Sequence, residues 1–127
     1  MSHPPLRVAH VDDDEDLRAI VKFALEVTGG MVVASCESGQ DALETIPPFK
    51  PDVILMDMLM PGMNGVETVD ALRKRMDLSD VAVAFATGLD GNDQQFQSLV
   101  ESGQATVIQK PFDADTLAAQ LTKLSHR

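Results

Sequence analysis

A short apolar strand followed by an amphipathic helix recurs five times in this chain of 127 residues, and this repeat limits the folds that the chain can adopt. Each strand is a nearly continuous apolar run, and apolar residues then recur at helical spacing. The predicted strands are 6–11, 31–36, 53–57, 81–85 and 106–108. The predicted helices lie around 17–25, 42–46, 66–76, 96–100 and 117–124, and the second is expected to end at Pro47-Pro48.

Alternating strands and helices predict a parallel sheet with helices on both faces, because each right-handed crossover lays its helix against the sheet. The continuous apolar runs fit this arrangement, since strands covered on both sides need apolar residues on both sides. The expected fold class is therefore α/β, a three-layer (βα)5 sandwich. We expect a single domain over 1–127, with 1–5 as a flexible N-terminus.

Composition excludes several classes of function. The formal net charge of -10 repels nucleic acid, and the sequence has no basic stripe to overcome that repulsion. None of the apolar runs approaches the roughly 18 residues of a membrane span, and the N-terminus does not resemble a secretory signal. Cys36 is the single cysteine, which excludes an internal disulfide and fits a reducing interior. The predicted location is the cytoplasm.

Polar residues gather at the carboxyl ends of the predicted strands, where open α/β sheets bind their ligands. Asp12 and Asp13 follow the first strand, Asp57 ends the third, Thr87 ends the fourth, and Lys110 follows the fifth. Three carboxylates at one place repel each other and need a divalent cation or shared protons. Mg²⁺, which prefers oxygen ligands, meets that need. The pattern predicts a metal site beside a lone ammonium.

Each of these residues has an ordinary alternative when it is taken alone. The acids at 12–16 could cap a helix, Asp57 could be a turn residue, and Lys110 and Thr87 could be surface groups. Their joint placement on one edge favours the site, and Asp14 and Glu15 are left to capping and solvent.

Three other features are assigned to the core. We expect His10, inside the first strand, to be a buried and hydrogen-bonded residue, not a ligand. Cys36 is expected to act as a small buried hydrophobe. The methionines around the third strand are expected to fill gaps in the core or lie in loops; they are Met56, Met58, Met60 and Met63.

Four motifs occur in order along nearly the whole chain. They are Val11-Asp12-Asp13-Asp14, the segment 57–65 (DMLMPGMNG), Thr87-Gly88 and Lys110-Pro111-Phe112. Together they resemble the CheY-like receiver domains of bacterial two-component response regulators. The resemblance implies the flavodoxin-like fold with strand order 2-1-3-4-5.

The resemblance also implies a role for each site residue. Asp57 would be the phosphoacceptor, Thr87 would contact the phosphoryl oxygens, and Lys110 would pair with the phosphoryl group. Pro111 would follow a cis peptide bond. The implied ligands of Mg²⁺ are Asp12, Asp13, Asp57 and the backbone carbonyl of Met58.

By the same resemblance the chain is a phosphorelay signalling protein and not an enzyme. Its expected partners are a sensor histidine kinase or histidine phosphotransfer protein as donor and a downstream protein, with oligomerisation possible. Since only Ser125-His126-Arg127 follow the last apolar residue, no output domain is expected in this chain. Two rivals are a Mg²⁺-dependent aspartyl-phosphate phosphatase, suggested by Asp12-x-Asp14, and a flavin carrier, which the acidic edge and the lack of Trp and Tyr disfavour.

Three residues depart from the family pattern. Val107 replaces the aromatic residue that many relatives place three positions before the lysine, so we expect a muted rearrangement after phosphorylation. Leu59 and Leu89, which by resemblance flank the phosphoryl group, offer no hydrogen bond to a hydrolytic water. Slow self-dephosphorylation is therefore expected.

Overall fold

A computed structural model describes residues 4–58, 60–75, 78, 80–87, 106–109 and 113–125. Its five parallel strands form one sheet in the order β2-β1-β3-β4-β5, which confirms the predicted topology. The strands are β1 (Arg7–Val11), β2 (Val32–Cys36), β3 (Val53–Asp57), β4 (Ala82–Thr87) and β5 (Thr106–Gln109).

The helices that the structure describes follow the predicted order. They are α1 (Glu15–Phe23), which continues as a π-helical turn (Ala24–Thr28), α2 (Gly39–Phe49), α3 (Gly65–Arg73) and α4 (Ala114–Leu124). The helix predicted around 96–100 lies outside the described residues. Within the described ranges, none of the helices combines the length and apolar character that a bilayer crossing demands.

The prediction that α2 ends at Pro47-Pro48 is wrong. The helix runs through both prolines to Phe49, and Lys50 closes it in the left-handed conformation with its N–H donating to the Ile46 carbonyl at 3.1 Å. Proline fixes φ near a helical value but has no N–H, so Pro47 and Pro48 continue the helix with two backbone hydrogen bonds missing near its end. Buried Pro47 contributes to the inner face of the helix.

Two apolar clusters cover the two faces of the sheet and make it the middle of three layers. Successive residues of a strand point to opposite faces, so Val8 and Ala9 enter different clusters. The cluster beneath α2 and α3 includes Ala9, Val11, Ile54, Met56, Met58, Met60 and Phe85. The cluster beneath α1 and α4 includes Val8, Val21, Leu25, Val53, Leu55, Leu117 and Leu121. All five residues of β3 are buried, as a strand covered on both sides requires.

Candidate metal centre

The carboxyl edge of the sheet carries the candidate site. The register between β1 and β3 pairs Val11 with Met56, so Asp12 and Asp57, the next residue of each segment, come side by side. Asp13 follows directly in the loop that leads to α1. The topology alone thus brings two distant parts of the sequence together.

Three carboxylates meet at this edge. One oxygen each from Asp12, Asp13 and Asp57 lies within 4.8 Å of the other two. Asp12 and Asp57 are 1% and 6% exposed, whereas Asp13 is exposed to solvent. Like charges this close repel one another, most strongly between the buried pair Asp12 and Asp57, so the arrangement favours a cation as the fourth member.

Asp12 is held in place from several sides. Its backbone N–H donates to the Cys36 carbonyl at 3.0 Å, and its own carbonyl accepts from Nη1 of Arg18 at 2.7 Å. Oδ1 accepts from the backbone N–H of Asp14 at 2.9 Å. Oδ2 lies 3.8 Å from Nε2 of His10, a contact that becomes an ion pair when the imidazole is protonated. These contacts give the carboxylate a fixed orientation.

The loop after Asp57 packs tightly against the end of β3. The Met58 N–H donates to the Ala86 carbonyl, and the Met58 carbonyl accepts from the Gly65 N–H, each at 3.1 Å. A Cβ atom at Gly65 would collide with the carbonyl oxygen of Asp57, so only glycine permits this approach of α3. Asn64 caps α3 by accepting from the backbone at its third helical position.

Cys36 closes the same edge at the end of β2 and stays a neutral thiol. Burial, assisted by the charge of Asp41, raises its pKa to about 12, although a hydrogen bond with Thr45 and the charge of Arg18 act in the opposite direction. Its complete burial confirms the prediction that it packs as a small hydrophobe.

The structure brings together the predicted acids Asp12, Asp13 and Asp57. Thr87 ends β4, at the same edge of the sheet. Lys110 follows the last residue of β5 in sequence and lies outside the described residues, so its role stays a prediction.

Other predictions at this edge have mixed outcomes. The carbonyl of Met58 accepts a backbone hydrogen bond, and its role as a metal ligand stays a prediction. Leu59, Leu89 and the bond before Pro111 lie outside the described residues. Val107 is half-buried and pairs with Phe85 in the β4–β5 register; the muted rearrangement stays a prediction.

Sequence reasoning missed two neighbours of Asp12. His10 is buried as predicted, but its approach to the Asp12 carboxylate was not foreseen. Residues two positions apart in a strand point to the same face, and this spacing between His10 and Asp12 would have indicated the contact. Arg18 gave no such signal, because its reach back over the loop depends on how α1 begins.

Comparisons with known proteins agree with this geometry. Residues 8–122 match the family model for the response regulator receiver domain. The chain is 34% identical over 120 residues to the response regulator protein VraR of Staphylococcus saprophyticus, covering 94% of this chain and 56% of VraR. It is 29% identical over 119 residues to the chemotaxis protein CheY of Thermotoga maritima, covering 94% of this chain and 97% of CheY.

Solved structures show the same architecture. Chemotaxis protein CheY4 of Vibrio cholerae superimposes with a TM-score of 0.86 at 27% identity, covering 95% of this chain and 99% of that one. The chain spans about half the length of VraR and of the transcriptional regulator PhoB from Pseudomonas aeruginosa, at 56% and 50%, and nearly all of CheY.

Proposed function

This chain belongs to the response regulator receiver domain family, whose members are phosphorylated on aspartate in two-component systems, and we propose that Asp57 is its phosphoacceptor. The observation that carries the proposal is the meeting of Asp12, Asp13 and Asp57 at one edge of the sheet. Asp57 is the member at the end of a fully buried strand, which gives its carboxylate a fixed position.

The donor set fits Mg²⁺. Oxygens bound to one octahedral Mg²⁺ ion lie about 2.9 Å apart when adjacent and about 4.1 Å apart when opposite. The three carboxylate oxygens lie within 4.8 Å of one another, not far above the larger value. All three donors are hard carboxylate oxygens, and Asp13 is exposed, which leaves room for retained water. We propose Asp12, Asp13, Asp57 and the Met58 carbonyl as the residues that hold the ion.

The chemistry follows from the position of Asp57. A carboxylate oxygen attacks the phosphorus of a phosphohistidine donor; the new P–O bond forms as the P–N bond breaks, and the imidazole nitrogen leaves with the electron pair. When bound, Mg²⁺ offsets the repulsion between the carboxylate and the incoming phosphoryl oxygens. Asp12 is oriented by its backbone bonds, and we assign Thr87 as hydroxyl donor and Lys110 as point charge.

The partners follow from the same chemistry. A histidine kinase or phosphotransfer protein supplies the phosphoryl group, and a downstream protein distinguishes the phosphorylated form by its added charge. The chain thus acts as a signalling phosphoacceptor and not as a turnover enzyme. The neutral, buried thiol of Cys36 suits a cytoplasmic setting.

Phosphotransfer from a panel of histidine kinases tests the proposal directly. Wild-type protein should become labelled in the presence of MgCl₂, and Asp57→Asn should lose all labelling because the nucleophile is gone. Asp70→Asn, the same change at an exposed residue of α3, should be labelled as wild type. Labelling that survives in Asp57→Asn would disprove the assignment.

A further inference from the structure

Arg18 reaches back from α1 over the loop that carries two of the three acids. Its Nη1 donates to the backbone carbonyl of Asp12 at 2.7 Å, and the side chain is partly buried. Its positive charge also acts to lower the pKa of the Cys36 thiol at the end of β2, against the larger effect of burial. The residue therefore links the first helix to the acidic loop.

The backbone of Asp12 is bonded at both of its polar groups. The N–H is bonded to Cys36 and the carbonyl to Arg18, while Asp14 fixes the carboxylate through Oδ1. The bond from Arg18 comes from a side chain, so a substitution can remove it while the backbone and all three acids stay unchanged. Hydrogen bonds from a charged donor are among the stronger ones in proteins.

We propose that Arg18 is a positioning residue for the divalent cation site, holding Asp12 in the orientation that binds Mg²⁺ and so setting the affinity for the ion. This inference rests on the proposed function of the same site. Replacing a residue that hydrogen-bonds to a metal ligand typically weakens the affinity for the metal 10- to 100-fold. The guanidinium also repels a cation, and the proposal requires the orienting effect to exceed that repulsion.

Arg18→Met keeps the apolar stem and removes both the donor and the charge. We expect about tenfold weaker Mg²⁺ binding for this variant, and partial recovery in Arg18→Lys, which restores one charged donor. Lys22→Met is the matched control. Lys22 lies one turn further along α1 and also donates to a backbone carbonyl, that of Val33 at 3.2 Å, away from the acids. Its loss should leave the affinity for Mg²⁺ unchanged.

Isothermal titration of the full chain with MgCl₂ measures the affinity at a temperature well below the melting point of each variant. Circular dichroism melts in EDTA record how much each variant is destabilised without metal. A purely structural role would lower the melting temperature of Arg18→Met and leave its Mg²⁺ affinity as in wild type. If Arg18→Met does not fold, the ratio of affinities for Arg18→Lys and wild type decides, and an equal affinity overturns the proposal.

The outcomes separate the two proposals. Unchanged or tighter Mg²⁺ binding in Arg18→Met, with normal binding in wild type, overturns the role of Arg18 alone. Wild-type protein that binds no Mg²⁺ overturns the metal site itself, and the role of Arg18 with it. If Lys22→Met loses as much Mg²⁺ affinity as Arg18→Met, any cation on α1 has the same effect. That outcome also overturns the specific role of Arg18.

Discussion

The two edges of the sheet treat charge in opposite ways. At the amino edge, Arg7 begins β1 and donates to the Phe49 carbonyl from Nε and Nη2 at 2.9 and 2.7 Å. Arg73 donates to the carbonyl of Val81, just before β4. At the carboxyl edge, three carboxylates lie within 4.8 Å of each other. The amino edge bonds its cations to carbonyl oxygens of the chain, whereas the carboxyl edge brings three carboxylates together.

The difference separates stability from function. Arginines that donate to carbonyls at the ends of helices and strands stabilise the fold, because those carbonyls lack a partner within their own element. Acids that repel one another lower stability until a ligand enters. Active sites commonly carry such a cost, and the rest of the fold offsets it. Substitutions at the amino edge should therefore destabilise the fold, and those at the carboxyl edge should change ligand binding first.

The largest expected effect is at the amino edge. Arg7→Met removes two hydrogen bonds to Phe49 and the stacking of the guanidinium 4.2 Å from the centre of that ring, so we expect the free energy of unfolding to fall by about 3 kcal/mol. Urea unfolding measures it. Arg75→Met, at an exposed arginine, should stay within about 0.5 kcal/mol of wild type. Equal losses in both variants would mean that the contacts of Arg7 with Phe49 do not stabilise the amino edge.

Only the carboxyl edge of this contrast could be predicted from the sequence. Asp12 and Asp57 could be placed together from the sequence because parallel strands with short loops bring their carboxyl ends to one edge. Arg7 could not be assigned, because its target is the carbonyl of Phe49, whose position depends on where α2 ends. The rule for proline, which describes helix interiors, predicted that end wrongly.

The order of the strands was predicted by a different route. Hydrophobic pattern alone indicated a covered parallel sheet, and the order 2-1-3-4-5 came from the resemblance to receiver domains. Arg18 shows the limit of both routes, since a long side chain that bonds a backbone carbonyl leaves no periodic signal in the sequence.

Cys36, at the carboxyl edge, should make the stability of the protein depend on pH in the alkaline range. Burial and Asp41 raise the pKa of its thiol to about 12, above the roughly 8.5 of an unfolded cysteine. Because the pKa is higher in the folded protein, the neutral thiol contributes its full stabilisation below about pH 8.5. That stabilisation is lost as pH rises toward 12. At pH 10 the loss should be about 2 kcal/mol, since the unfolded chain ionises this thiol whereas burial keeps it neutral in the folded protein.

Urea unfolding of wild type and Cys36→Ala at pH 7 and pH 10, in a reducing buffer, isolates this loss. Lysines titrate in both proteins and the chain has no tyrosine, so the difference between the two free energies of unfolding reports the thiol. That difference should shift by about 2 kcal/mol in favour of the alanine variant at pH 10. A difference that does not change with pH would mean that the folded protein ionises this thiol as readily as the unfolded chain.

The smallest effect has the opposite sign. Asp57→Asn removes one of three mutually repelling charges and keeps the shape of the side chain, so without Mg²⁺ the free energy of unfolding should rise by about 1 kcal/mol. Asp70→Asn removes an exposed ion pair with Lys74 and should change stability little. The gain should shrink in 0.5 M KCl because salt screens the repulsion, and 10 mM MgCl₂ should stabilise wild type more than the variant. Destabilisation of Asp57→Asn in EDTA would mean that the acidic edge costs the fold nothing, and that both edges of the sheet are built for stability.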